Sequence, residues 1–124
     1  MKLQPTQPET LDIFLVELVG DFDLSERERL IDAFALAKSA LLVMVNLSKA
    51  SYIDSAVLEC LVCFSTATRK RGASFILLGV HGAVQRLFEI CEMDKIFDIR
   101  GSDMGMAFAA ARRVTVESRA SSDG

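Results

Sequence analysis

The chain is short of most things a catalytic or nucleic-acid reading needs. It has a single histidine, and 14 Lys and Arg against 17 Asp and Glu leave a net charge of -3 over 124 residues. A mildly acidic chain without a large basic stripe is a poor candidate for nucleic acid, because phosphate contacts dominate such affinity. His81 alone makes no visible Ser–His–Asp or Cys–His arrangement, and metal sites need more ligands than it can recruit. The three cysteines are an odd number, and residues 1–10 (MKLQPTQPET) hold no apolar signal core. Together these favour a reducing cytoplasm with free thiols. The longest uncharged apolar stretch, residues 39–48, is about half the length a membrane helix needs, so no spanning segment is expected. There is no internal repeat and no linker. The only two prolines, Pro5 and Pro8, fall in the first ten residues and mark a loose or edge-like segment.

What is present is enough for one core. Apolar residues make up 51% of the chain and charged residues 25%, values ordinary for a globular protein. The length fits one domain that buries a core without staples. Residues 11–19 (LDIFLVELV) read as a strand ended by Gly20. Residues 24–38 read as a helix, with Ser25 as N-cap and Glu28 completing a capping box. Leu30, Ile31, Phe34 and Ala35 would form its apolar face.

Residues 41–47 (LLVMVNL) form a short continuous apolar run, as expected of a strand covered on both faces. A connecting loop over residues 48–52 follows. Asp54 is placed to cap a helix over residues 55–71 whose buried stripe is Val57, Leu58, Leu61, Val62 and Ser65. Arg69, Lys70 and Arg71 suit its last turn, a solvated end, and Gly72 suits its C′ position. Residues 74–79 (SFILLG) read as a buried strand. Val84, Leu87, Phe88 and Cys91 set the inner face of a third helix, and residues 95–99 a short strand. Met104, Ala107, Ala110, Ala111 and Val114 match a final amphipathic helix. The alternation implies an α/β domain, with a small mixed or mostly parallel sheet of four to five strands and about four helices.

Residues 45–58 read VNLSKASYIDSAVL. An apolar strand ending in an Asn46-Leu47-Ser48 turn, then Tyr52-Ile53-Asp54-Ser55 opening a helix, resembles the signature of the STAS domain family of anti-sigma-factor antagonists. Gly20-Asp21-Phe22-Asp23-Leu24 resembles that family's turn after its first long strand. Residues 84–90 (VQRLFEI) are similar to its third helix, and Asp94-Lys95-Ile96-Phe97 to the approach to its last strand. The resemblance covers roughly residues 11–114; with the proline-marked edge segment over residues 1–10 and the small, polar residues 117–124 as a flexible tail, the domain is expected over 11–116.

The resemblance implies a phosphoacceptor at Ser55 and a partner surface of Asp21, Asp23, Asp54, Ser55, Ala56 and Val57. It implies as partner an anti-sigma factor that is also a serine kinase, together with a phosphatase. Charge, hydropathy and the scarcity of ligands already argue against nucleic acid, membrane insertion and a metal, no cofactor is expected, and a homo-oligomer is left open. A second reading is a constitutive subunit of a larger complex, either a stress-signalling assembly or an ABC-type lipid-transport complex. Asn46, where the family often has Asp, and Val57, in place of a smaller residue, favour that second reading. An enzyme ranks last, for want of a catalytic constellation.

Other residues weigh toward structure. Asp21 and Asp23 bring two carboxylates into one turn, too few ligands for a hard cation. Cys60 and Cys63 fall in a helix interior, away from the N-terminus where reactive pairs sit, so both are expected to be buried or partly buried structural residues. Cys91 reads the same way. His81 stands where it would cap or cover the start of the third helix.

Overall fold

Two long strands, β1 (Ile13–Phe22) and β2 (Leu42–Ile53), run side by side through the centre of the computed structural model, which describes residues 12–101 and 105–119. Around them lie α1 (Arg27–Ala35), α2 (Ser55–Lys70), β3 (Ser74–Leu78), α3 (Gly82–Ile90), β4 (Asp98–Arg100), α4 (Met106–Ala110) and β5 (Arg112–Glu117). Among the described residues the strands form one sheet in the order β4-β3-β2-β1-β5, with parallel ladders throughout.

Side-chain alternation divides the apolar residues between two layers. Phe14, Val16, Leu18 and Phe22 of β1 join Val43, Val45 and Leu47 of β2 against Leu30, Leu61 and Phe88 from the first three helices. Ile13, Leu15, Met44, Ile76 and Leu78 face the other way, where Ala107 and Phe108 of α4 pack. Central parallel strands covered on both faces give the unbroken apolar runs seen in the sequence.

The connectivity explains the placement of α4. The chain steps outward from β1 through β2 and β3 to β4 with helices on one face, then returns past β1 to β5 with α4 on the other. Right-handed crossovers require that change of face when the direction of travel reverses.

Several expectations are corrected. Gly20 does not end the first strand; it sits within β1 at φ 106, beside a shift in register against β2. A glycine accommodates such a bulge without a Cβ clash. The loop expected over residues 48–52 is strand, because the second half of β2 pairs with residues 19–22. Ser25 is not the N-cap. Asp23 is, through a 3₁₀ turn at Leu24–Glu26 that precedes α1, and no capping box forms with Glu28. That turn has three residues per turn against 3.6, which rotates the helix face. Ala33 is buried with Leu30 and Phe34, while Ile31 and Ala35 are exposed.

On α2 the stripe holds, with Cys60 and Thr68 added and Val62 only partly buried. Gly72 takes up φ +87 past its end. Cys63 is exposed where a buried or partly buried residue was expected, and Cys91 is exposed rather than on the inner face of α3. The third expected strand ends at Leu78, and the short fourth is shifted to Asp98–Arg100. The final helix is only five residues long, and Val114 belongs to β5. The sequence RRVTVE is β-branched and alternating, and β1 offers it a ladder. Glu117 closes β5, and Ser118 beyond it is buried. Met104, Pro5, Pro8 and the chain from residue 120 lie outside the described residues.

Candidate functional site

β3 reaches only as far as Asn46 on β2 and β5 only as far as Val19 on β1, so beyond Val19 the strands β1 and β2 continue as a two-stranded arm. The arm carries residues 20–23 and 52–55 to one place at the carboxyl end of the sheet, where ligands and partners meet open α/β folds. Phe22 O accepts from Asp54 N at 3.1 Å, closing the arm at its tip. Asp54 is extended, and its Oδ1 accepts from Val57 N at 2.9 Å, the capping bond expected from the sequence. Its Oδ2 accepts from Leu24 N at 3.0 Å, tying the start of α2 to the turn before α1. One carboxylate therefore fixes both loops.

Ser55 is the first residue of α2 and is exposed, while Ala56 is half-buried. The N–H groups of a first helical turn have no partner within the helix and carry its positive end. Ser55, Ala56, Glu59, Val62, Cys91 and Met93 line a shallow depression of about 430 Å³ running from this turn toward the end of α3. Leu24 and Tyr52 stand beside the helix start with 60% and 46% of their surface exposed, large apolar groups in solvent. Val57, by contrast, is fully buried and packs in the core beneath the first turn.

Asp23 lies across the tip from Asp54. Its carboxylate accepts from the Ser25 hydroxyl and from Ser25 N, and these two bonds hold its pKa below the ordinary 3.8. Asp21 is half-buried in β1 opposite Tyr52. The arrangement thus brings Asp23, Asp54, Ser55 and Ala56 together on one surface and leaves Val57 inside.

Asn46 closes a small turn of its own. Its Oδ1 accepts from Ser48 N at 3.0 Å, and its Nδ2 lies 3.4 Å from Glu17 Oε2. Asn supplies the acceptor an Asp would supply here. His81 occupies the N-cap position of α3 but makes no side-chain cap; its Nε2 lies 3.0 Å from Ser48 O. Gly79 brings that loop close, since a Cβ there would sit 2.8 Å from Ser48 Cβ.

A second polar cluster has no counterpart in the sequence reading. Glu26 is 1% exposed, and its carboxylate accepts from Arg29 at 2.7 Å and Arg119 N at 2.8 Å, with the Ser118 hydroxyl at 3.3 Å. It locks the end of β5 to the start of α1. A Glu in a first helical turn is too common a pattern to announce this. Among the described residues, no group of three or more His, Cys, Asp or Glu side chains converges as metal ligands, and no helix is long and apolar enough to cross a membrane.

Comparison with known proteins agrees with this geometry. The family model for the STAS domain matches residues 4–103. A sulfate transporter family protein from Wolinella succinogenes has a similar fold, with a TM-score of 0.66 at 18% identity over 87% of each chain. The anti-sigma factor antagonist SpoIIAA in its unphosphorylated form is similar at a TM-score of 0.57 and 16% identity, covering 87% of this chain and 92% of its own. The match over residues 4–103, together with the element order, places this chain in the STAS domain family.

Proposed function

We propose that this chain is a cytoplasmic protein-interaction regulator of the anti-sigma-factor-antagonist type, a binding module rather than a catalyst. Phosphorylation of Ser55 switches it. Its partner is an anti-sigma factor that is also a serine kinase, and a phosphatase resets it. The observation that carries this reading is an exposed Ser55 opening α2 while the neighbouring Asp54 carboxylate is committed to Val57 N and Leu24 N.

The chemistry of such a switch is local. A phosphate on the first residue of a helix is favoured by the dipole and the free N–H groups, so the fold tolerates it. A partner packed on Leu24, Tyr52, Ser55 and Ala56 would meet about two added negative charges and their desolvation cost. A few kcal/mol of penalty changes affinity by orders of magnitude, with no rearrangement of the domain.

The test incubates the protein with a candidate anti-sigma kinase and ATP, locates phosphate by mass spectrometry, and titrates binding by calorimetry. Ser55→Ala should fold and bind constitutively. Ser55→Asp should fold, and bind more weakly. Phosphate found elsewhere, or an affinity unchanged by both Ser55→Asp and full phosphorylation, would end this reading.

A second reading, a constitutive STAS subunit or domain of a transport-related or stress-signalling assembly, is favoured by the likeness to the sulfate transporter family protein. Co-purification with scaffold or membrane components, indifferent to Ser55 substitution, would select it.

A further inference from the structure

We propose that this domain pairs with a second copy of itself through the outer edge of β5, antiparallel about a two-fold axis at Thr115, joining two five-stranded sheets into one. Ser118 N donates to Val19 O at 2.9 Å, so its main-chain groups face β1. Strand alternation then turns the N–H and C=O of Arg113, Thr115 and Glu117 away from β1. β5 is the last strand in the sheet, and among the described residues no strand lies beyond it. Glu117 O already receives Arg29 Nη1 at 2.7 Å from α1, which marks the outward direction and leaves that oxygen a second lone pair.

An open edge is a template for another strand, and charged side chains usually guard it. Here the charges are self-complementary. Thr115 donates to Glu17 and Arg113 lies over the Phe108 ring, so both occupy the α4 face, and Glu117 shares their parity. Val114 and Val116 face the helices. A two-fold axis normal to the sheet preserves its faces, so residues that oppose across the axis must share parity. Centred on Thr115, each outward N–H meets an outward C=O. Thr115 then opposes Thr115, and Arg113 of each copy opposes Glu117 of the other, a favourable cross-strand pairing. Centred on Val114, Glu117 would oppose Ala111 and Arg113 would oppose Thr115, and the charge match would be lost.

The helix side supplies the remaining contact. Arg29, Asp32, Leu36, Val114 and Val116 border a groove along this edge, and Leu36 stands 57% exposed at its rim. The same axis brings the two copies of α1 together over it. β1 separates this edge from β2 and α2, so both copies keep Ser55 uncovered.

The experiment is sedimentation equilibrium over micromolar concentrations in reductant. The wild type should reach twice the 13.6 kDa monomer mass. Arg113→Glu and Glu117→Arg each set like charges opposite one another twice and should weaken self-association about tenfold or more. Mixed in equal amounts, the two variants should form a heterodimer of near wild-type affinity, since each variant's changed residue then faces an opposite charge. Thr115→Pro removes an N–H that faces solvent in the monomer, a position where an edge strand tolerates proline, and should give a folded monomer by circular dichroism. A monomeric wild type, single variants that dimerise normally, or a mixture that stays monomeric would each overturn the proposal. A heterologous strand from another protein captured on a monomeric wild type would do the same.

Discussion

Asp54 Oδ2 accepts from the backbone N–H of Leu24, thirty residues earlier in the chain, at 3.0 Å. The bond makes Asp54 more than a helix cap, because removing its carboxylate orphans donors on two loops. Asp54→Ala should cost about 1–3 kcal/mol in urea denaturation, combining a lost cap with a second charged hydrogen bond. Asp54→Asn keeps one side-chain acceptor and should lose less. Equal losses for the two would show that only one of the bonds carries weight.

The tip of the arm should respond to acid through Asp23. Its carboxyl is held below 3.8 by bonds from the Ser25 hydroxyl and Ser25 N. A depressed folded-state pKa means a stabilising contribution fully present above the unfolded value and lost as pH falls through the folded one. NMR titration of Asp23 should therefore give a midpoint below 3.8, and Ser25→Ala should raise it toward that value. A midpoint unmoved by Ser25→Ala would assign the shift to another cause.

The three thiols should separate in rate. Cys63 and Cys91 are exposed and Cys60 is buried, so a thiol reagent should label the first two quickly in native protein and the third only on unfolding. Rapid native labelling of Cys60 would show that α2 opens locally.

Leu61 has no exposed surface and sits where α2 meets the sheet. Leu61→Ala should cost about 2–5 kcal/mol through the cavity it leaves. A loss below about half a kcal/mol would contradict that register.

The parts of the fold legible in the sequence are those decided locally or by burial on both faces. Residues 43–45 and 75–78 are continuous apolar runs because a layer covers each side of the sheet, and α2 announces itself through Asp54 and the Val57-Leu58-Leu61 stripe. Residues 48–53 (SKASYI) were illegible as strand, since their partner, residues 19–22, lies far away in sequence and sets their conformation by pairing. β5 was hidden by the alanines before it, whose spacing fits a helix. The site divides the same way. The Asp54 cap, the Ser55 position and the inward Val57 follow from neighbouring residues, whereas the Leu24 link and the Glu26 lock to Ser118 and Arg119 are long-range facts.

The parallel alignment of β1 with β5 decides where attachments would lie. The chain enters β1 at Asp12 at one end of the sheet and leaves β5 at Arg119 at the other, beside Asp21, whose carbonyl receives the Ser118 hydroxyl. At ~3.3 Å per residue, a strand of ten residues separates the two ends by roughly 30 Å. A fluorophore or fused domain joined after Arg119 would therefore start at the same end as Ser55 and report on, or obstruct, whatever docks there. The same attachment ahead of Asp12 would start a full strand length away.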